Sequence, residues 1–237
     1  MLDALEAGYR FLDCGQFYGN EAAVGEAIKR SGVRRSELYI ASKVWTDNIY
    51  QGAEAVQSQI RKSMRDLQVD YLDMYLVHWP VPTKHVEAYC ALENLQNQGI
   101  VRYSFHLLSL YLVLALEHCI IIMHILSIAY GDRSIGVSNY TIEDYEELMQ
   151  YATVTPAINQ IEVNPFLYRR HTIDYFQSKG VAIEAYSPLR QGKEFTNPII
   201  QDVAAKYSRA PAQILGRWCV QQGIIYLPKS ENKDRMV

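Results

Sequence analysis

The 237-residue sequence has only four cysteines, Cys14, Cys90, Cys119 and Cys219, scattered without a CxxC pair or zinc-ligand spacing. That excludes a disulfide framework or structural metal as the basis of the fold and fits buried thiols in a reducing compartment. A strong charge imbalance is also missing. The net charge is -3 with 21% charged residues, so neither a nucleic acid nor an anionic membrane is expected as partner. Met1 leads directly into an amphipathic stretch, without the basic region and apolar core of a signal peptide, which makes the cytoplasm the expected location. No GxGxxG opens any helical pattern, so the usual dinucleotide fingerprint is absent.

What is present is alternation. Short apolar runs at 9–13, 38–43, 71–78, 134–137, 157–162, 181–186 and 224–227 alternate with helical patterns at 20–30, 51–67, 86–98, 142–150 and 198–207. Nearly continuous apolar strands separated by helices predict a parallel sheet covered by helices. Polar residues stand where these strands end: Asp13, Lys43, His78, Ser138, Asn139, Gln160 and Tyr186. In a (β/α)8 TIM barrel that is the face on which active sites are built, and 237 residues suit such a domain of about 250. A doubly wound sheet also binds ligands at strand ends, but the missing fingerprint favours the barrel. Seven units can be counted and the chain opens in a helix, so the first strand and the last helices of the barrel are expected to be lacking.

One tract interrupts the alternation. Between Tyr103 and Asp132 the only Asp, Glu, Lys or Arg is Glu117, and by length and hydropathy the tract resembles a membrane-spanning helix. A single span there would put the two halves of one barrel on opposite sides of a bilayer, so no membrane association is expected. The whole of 1–237 is read as a single barrel domain with an apolar insertion at 103–133. Arginines flank the tract, and codons for Arg102-Tyr103 and Arg133 can carry a splice donor and an acceptor, so it reads as the translation of an unspliced intron.

The individual motifs are specific in combination. Gly8-Tyr9-Arg10-Phe11-Leu12-Asp13 with Tyr18-Gly19-Asn20-Glu21, Ala41-Ser42-Lys43-Val44-Trp45, Leu76-Val77-His78-Trp79-Pro80, Ile135-Gly136-Val137-Ser138-Asn139, Asn159-Gln160-Ile161-Glu162, Ala185-Tyr186-Ser187-Pro188-Leu189 and Leu227-Pro228-Lys229-Ser230 follow one another in order. Together they resemble the aldo-keto reductase family over everything except 103–132. The resemblance implies reduction of aldehydes or ketones to alcohols by hydride transfer from NADPH. It implies Tyr18 as general acid, Lys43 as the cation that assists it, Asp13 as the anchor of Lys43, and His78, with Trp79, on the substrate carbonyl. His78 would be neutral or charged according to pH. For the cofactor it implies Ser138, Asn139 and Gln160 on the nicotinamide carboxamide and Tyr186 stacked on the ring. Ser187 and Leu189 would lie along the pyrophosphate, and Lys229, Ser230 and Arg235 would hold the 2′-phosphate. No metal is expected, and a monomer acting on a small carbonyl compound is. The alternatives are a catalytically inactive family member and a nicotinamide-binding regulatory module on the same fold. Short segments at 79–84 and 190–193 point to an open site for small aldehydes, ketones or sugar-derived carbonyls.

Overall fold

In a computed structural model, residues 1–101 and 135–236 are described, and the apolar tract expected to be an insertion lies outside them. A short helix, α1 (Leu2–Glu6), precedes strand β1 (Phe11–Asp13). Then come α2 (Glu21–Ser31), β2 (Tyr39–Val44), α3 (Thr46–Tyr50), α4 (Ala53–Leu67), β3 (Met74–Val77) and α5 (His85–Asn97). The chain continues with β4 (Ile135–Ser138), α6 (Ile142–Leu148), β5 (Ile158–Glu162), α7 (Arg170–Ser178), β6 (Ala182–Tyr186), α8 (Pro198–Tyr207), α9 (Pro211–Gln221) and β7 (Ile225–Tyr226). The seven strands are parallel and paired in sequence order, with β1 and β7 as the edges of the described sheet. All seven expected strands are found, with bounds that shift by one to three residues: β2 and β4 run one residue further than expected at their C-terminal ends, and the others are shortened.

Two layers of core follow from the period of two along each strand. One side chain in two, such as Leu12, Ile40, Val44, Tyr75, Val77, Val137 and Ile183, packs outward under the helices in the larger cluster. The alternate positions, Ala41, Met74, Leu76, Ile158, Ala182 and Ile225 with Phe11 and Tyr39, form a separate inner cluster. Strand register keeps these inner positions on one face: Phe11 pairs with Tyr39, Ala41 with Met74, Leu76 with Gly136, and Ile158 with Ala182. Gly136 has no side chain because a Cβ there would come within 2.7 Å of Leu76 Cδ2 and 3.0 Å of the Ile158 carbonyl oxygen.

Helix placement is fixed by local chemistry. α6 begins with a capping box, in which Asp144 N donates to Thr141 Oγ1 at 3.2 Å and Thr141 N donates to Asp144 Oδ2 at 2.9 Å. This starts the helix just after Asn139 and holds the end of β4 in place. α2 lies close against the end of α4, since a Cβ on Gly25 would meet the Asp66 carbonyl oxygen at 2.4 Å. The buried Glu21 carboxylate joins the two helices to β2 by accepting from Ser42 Oγ at 2.6 Å and Ser63 Oγ at 2.9 Å.

Candidate active site

Two residues beyond the inner apolar layer, the inward positions turn polar. Phe11 is followed by Asp13, Ala41 by Lys43, Leu76 by His78, Gly136 by Ser138, Ile158 by Gln160 and Ala182 by Glu184. These six side chains crown the C-terminal end of the strands, the end at which (β/α)8 sites are built.

Lys43 is the centre of the crown and is fully buried. Its Nζ lies 2.6 Å from Asp13 Oδ1, 2.8 Å from the Cys14 carbonyl oxygen and 3.2 Å from the Tyr18 hydroxyl. Burial alone would lower the Lys43 pKa, but the charges of Asp13 and Tyr18 and the bond to Asp13 carry it above the ordinary lysine value. The ammonium is therefore cationic across neutral pH. Tyr18 sits on a short 3-10 turn (Gln16–Tyr18) closed by Gly19 in the left-handed region, φ 63°. Burial raises the phenol pKa, and the nearby Lys43 charge opposes that rise. The turn is clamped by Gln16, whose Oε1 accepts from Trp45 N at 2.8 Å and whose Nε2 donates to Asn48 Oδ1 at 2.6 Å.

His78 lies edge-on to Tyr18 with ring centroids 5.8 Å apart, and to Trp45 at 5.0 Å. Burial, reinforced by the Lys43 charge, pushes its pKa down to about 3. Burial and the Lys43 charge thus favour the neutral imidazole at neutral pH. Phe17 packs on Trp45 with ring centroids 4.2 Å apart and planes tilted by 34°, and with the exposed Trp79 these rings give the mouth an aromatic side.

Ser138, Asn139, Gln160 and Tyr186 meet beside the ion pair. Asn139 takes a left-handed backbone, φ 62°, which asparagine tolerates better than most residues. Its Nδ2 donates to the His78 carbonyl oxygen at 3.0 Å and to Ser138 Oγ at 3.1 Å, and its Oδ1 accepts from the Tyr186 hydroxyl at 3.0 Å. Ser138 Oγ donates to the Gln160 carbonyl oxygen at 2.8 Å. Gln160 Nε2 donates to Asp13 Oδ1 at 3.1 Å and to Glu184 Oε2 at 2.6 Å. Ser187 and Leu189 follow β6, Ser187 exposed with φ 51° and Leu189 half-buried.

Not every expected residue joins this cluster. Lys229 and Arg235 are exposed on the final segment; Lys229 pairs with Glu231, and Ser230 Oγ donates to the Asn232 carbonyl oxygen at 3.1 Å. Conversely, Glu184, Gln16 and Gly15 belong to the site and were not singled out from the sequence. Glu184 obeys the same two-residue rule as Lys43 and Asp13, and that rule is the signal by which it could have been found.

A phenol beside a buried ammonium, next to a neutral imidazole, can protonate an oxygen that gains negative charge. Comparison with known proteins now fits this geometry to a family. The chain matches the Aldo/keto reductase family over residues 1–104 and 132–237. The chain belongs to the aldo/keto reductase family. It is 36% identical over 234 residues to the Glyoxal reductase of Bacillus subtilis, covering 99% of this chain and 73% of that protein. The solved aldo/keto reductase from Brucella melitensis superposes with a TM-score of 0.82 at 32% identity, covering 99% of this chain and 79% of the other. A Bombyx mori aldo-keto reductase solved in complex with NADP gives a TM-score of 0.80 at 29% identity, covering 99% of this chain and 73% of that one. In this family setting the seven parallel strands and their helices are the (β/α)8 barrel class expected from the sequence. Among the described residues no helix is long and apolar enough to cross a membrane.

Proposed function

We propose that this protein reduces small aldehydes and ketones to alcohols with NADPH, using Tyr18 as the proton donor. The observation that carries the reading is Lys43 Nζ, held 2.6 Å from Asp13 and 3.2 Å from the Tyr18 hydroxyl. A phenol with a pKa near 10 is a weak acid at neutral pH, and the burial here weakens it further. The Lys43 charge offsets part of that penalty and stabilises the phenolate left after proton transfer. Asp13 keeps Lys43 charged and aimed.

When bound, NADPH supplies the hydride to the carbonyl carbon. As that carbon is reduced, the carbonyl oxygen takes the Tyr18 hydroxyl proton, and Tyr18 recovers a proton from solvent on its exposed side. The neutral His78 donates a hydrogen bond to the same oxygen, and Trp79 flanks the substrate. A small dicarbonyl such as glyoxal suits the aromatic mouth, and the name of the Bacillus subtilis relative supports that class.

The residues present fit the cofactor. Ser138, Asn139 and Gln160 converge beside the ion pair for the carboxamide, and the half-buried Tyr186 ring is held by its bond to Asn139 for stacking. The Asn139 amide is engaged with His78 and Ser138, so its contact with a carboxamide requires those bonds to rearrange. Ser187 and Leu189 would line the pyrophosphate of bound NADPH. Lys229, Ser230 and Arg235 would hold the 2′-phosphate, for which Lys229 would have to leave Glu231. The free thiols Cys14, Cys90 and Cys219 support a reducing, cytoplasmic location. The family match breaks between 104 and 132, which supports reading the apolar tract as an insertion. A transcript read across codons 102–133 tests that reading.

The experiment for the main reading is Tyr18→Phe. General acid catalysis contributes about 100-fold or more, so kcat for glyoxal reduction should fall at least that far. NADPH affinity, read by fluorescence titration, should stay within about twofold, less than half a kcal/mol. Turnover within about threefold of the parent, a barrier change of under 1 kcal/mol, sinks the assignment.

A further inference from the structure

Glu184 is 1% exposed and lies inside the barrel crown. Burying a carboxyl group that has no ion pair of its own costs stability, and an apolar residue would avoid that cost. The neighbouring positions explain what it does. Glu184 on β6 stands directly across from Gln160 on β5, both pointing inward. Its Oε2 accepts from Gln160 Nε2 at 2.6 Å, and the same nitrogen reaches Asp13 Oδ1 at 3.1 Å. Asp13 Oδ1 is shared with Lys43, so Glu184 is the acceptor that serves Gln160 alone among these three groups. Turning the Gln160 carboxamide over would press Oε1 against Asp13 Oδ1, the oxygen already paired with Lys43, a contact with no proton between the partners, and would withdraw Nε2 from Glu184 Oε2. Both amide hydrogens of Gln160 are thereby committed inward, and Oε1 becomes the atom it can offer to a ligand.

We infer that Glu184 is a positioning residue that locks the Gln160 carboxamide so that its oxygen accepts from the nicotinamide carboxamide NH2. This rests on the reading of Gln160 as a nicotinamide contact given above. The charged and titratable groups facing Glu184 are Asp13 from β1, Lys43 and Tyr39 from β2, and Tyr18 from the turn after β1. Lys43 is the one cation among them and is held by Asp13. Glu184 is therefore the fixed wall against which Gln160 is set, while Asp13 serves the proton donor.

The test compares NADP+ with its 3-acetylpyridine analogue, in which a methyl group replaces the carboxamide NH2. Binding is measured calorimetrically for the parent, Glu184→Gln and Glu184→Leu. One lost hydrogen bond to a committed acceptor should make the parent prefer NADP+ by about fivefold. Glu184→Gln keeps an acceptor oxygen and should keep the preference, whereas Glu184→Leu should reduce it to less than about twofold because the amide is freed. A folded Glu184→Leu protein with the full preference overturns the inference. Equal binding of both cofactors by the parent overturns the reading of Gln160, and the inference with it. A second measurement needs no variant: the Gln160 side-chain amide protons of the parent should be shifted downfield and protected from exchange by their acceptors on Glu184 and Asp13. A fast-exchanging Gln160 amide overturns the inference on its own.

Discussion

Gly15 has an extended backbone, φ 177°, that any residue could adopt, so its missing side chain matters for contact and not for strain. A Cβ there would lie 3.2 Å from Tyr18 Cε2, 3.4 Å from Cδ2 and 3.7 Å from His78 Cε1. Gly15→Ala therefore pushes the Tyr18 ring by a few tenths of an ångström, and the hydroxyl on that ring is already 3.2 Å from Lys43. A reacting group displaced by about 1 Å can cost 100-fold, so this smaller shift should lower kcat/KM about tenfold. The change in Tm should stay within about 3 °C, since the ring is half-exposed and can give at a cost of roughly 1 kcal/mol or less. Unchanged kinetics in a folded variant would show that the ring has more room than this contact allows. The aromatic neighbours carry a related lesson about legibility. Tyr18, Lys43, His78 and Asp13 could be named from motifs, but Gly15, Gln16 and Phe17 lie between them and carry no chemistry of their own. Their contributions are contacts, and contacts exist only once the turn has folded against β2 and β3.

At the scale of elements, the strands were legible because burial on both faces leaves a continuous apolar run bounded by polar residues. Their ends were less so. The run at 71–78 shortens to Met74–Val77: Asp73 N still donates to the Ile40 carbonyl oxygen at 3.0 Å, but Ile40 N donates to the Asp73 carboxylate at 2.8 Å instead of a backbone carbonyl, and that carboxylate pairs with Arg35 at 2.6 Å. Helix α7 was not singled out, for a physical reason: it starts at Arg170 without a side-chain cap, with a positive residue where the helix dipole favours a negative one. The final segment is a third case. Lys229 and Ser230 lie in irregular chain ahead of the 3-10 turn (Lys233–Arg235) that holds Arg235, and exposed Lys229 is occupied by Glu231. If these residues read the 2′-phosphate, replacing Lys229 and Arg235 by Ala should weaken NADPH by about 30-fold or more, at about 1 kcal/mol or more per charge-assisted bond. NADH, which has no such phosphate, should change by less than about threefold, under 1 kcal/mol. Parallel fluorescence titrations of both cofactors decide it, and equal weakening would remove these residues from phosphate recognition.

At the scale of the whole molecule, the barrel crown couples stability to pH through two groups that pull in opposite directions. His78 has its pKa lowered from 6.5 to about 3, by burial first and by the Lys43 charge second. The unfolded chain binds the proton that the folded one refuses, so this contribution is present above pH 6.5 and is lost as the pH falls towards 3. Glu184 behaves in the reverse sense. Burial, and then the Asp13 charge, raise its pKa from 4.5 to about 8. Here the folded state keeps a proton that the unfolded chain releases, so the contribution is present below pH 4.5 and is lost as the pH rises through 8. Between 4.5 and 6.5 the two slopes oppose each other, and between 6.5 and 8 Glu184 acts without His78. Glu184→Gln places a neutral amide of the same shape at that position and removes the titration. The stability of the parent relative to this variant should therefore fall by about 1–2 kcal/mol from pH 6.5 to pH 8, at roughly 1.4 kcal/mol per pH unit for one proton. Urea unfolding of both proteins at half-unit pH steps measures the difference directly, and taking the difference cancels every titration they share. Parallel stability curves across that window would mean that Glu184 is ionised at neutral pH in the folded protein, and that the crown holds two buried negative charges against one lysine.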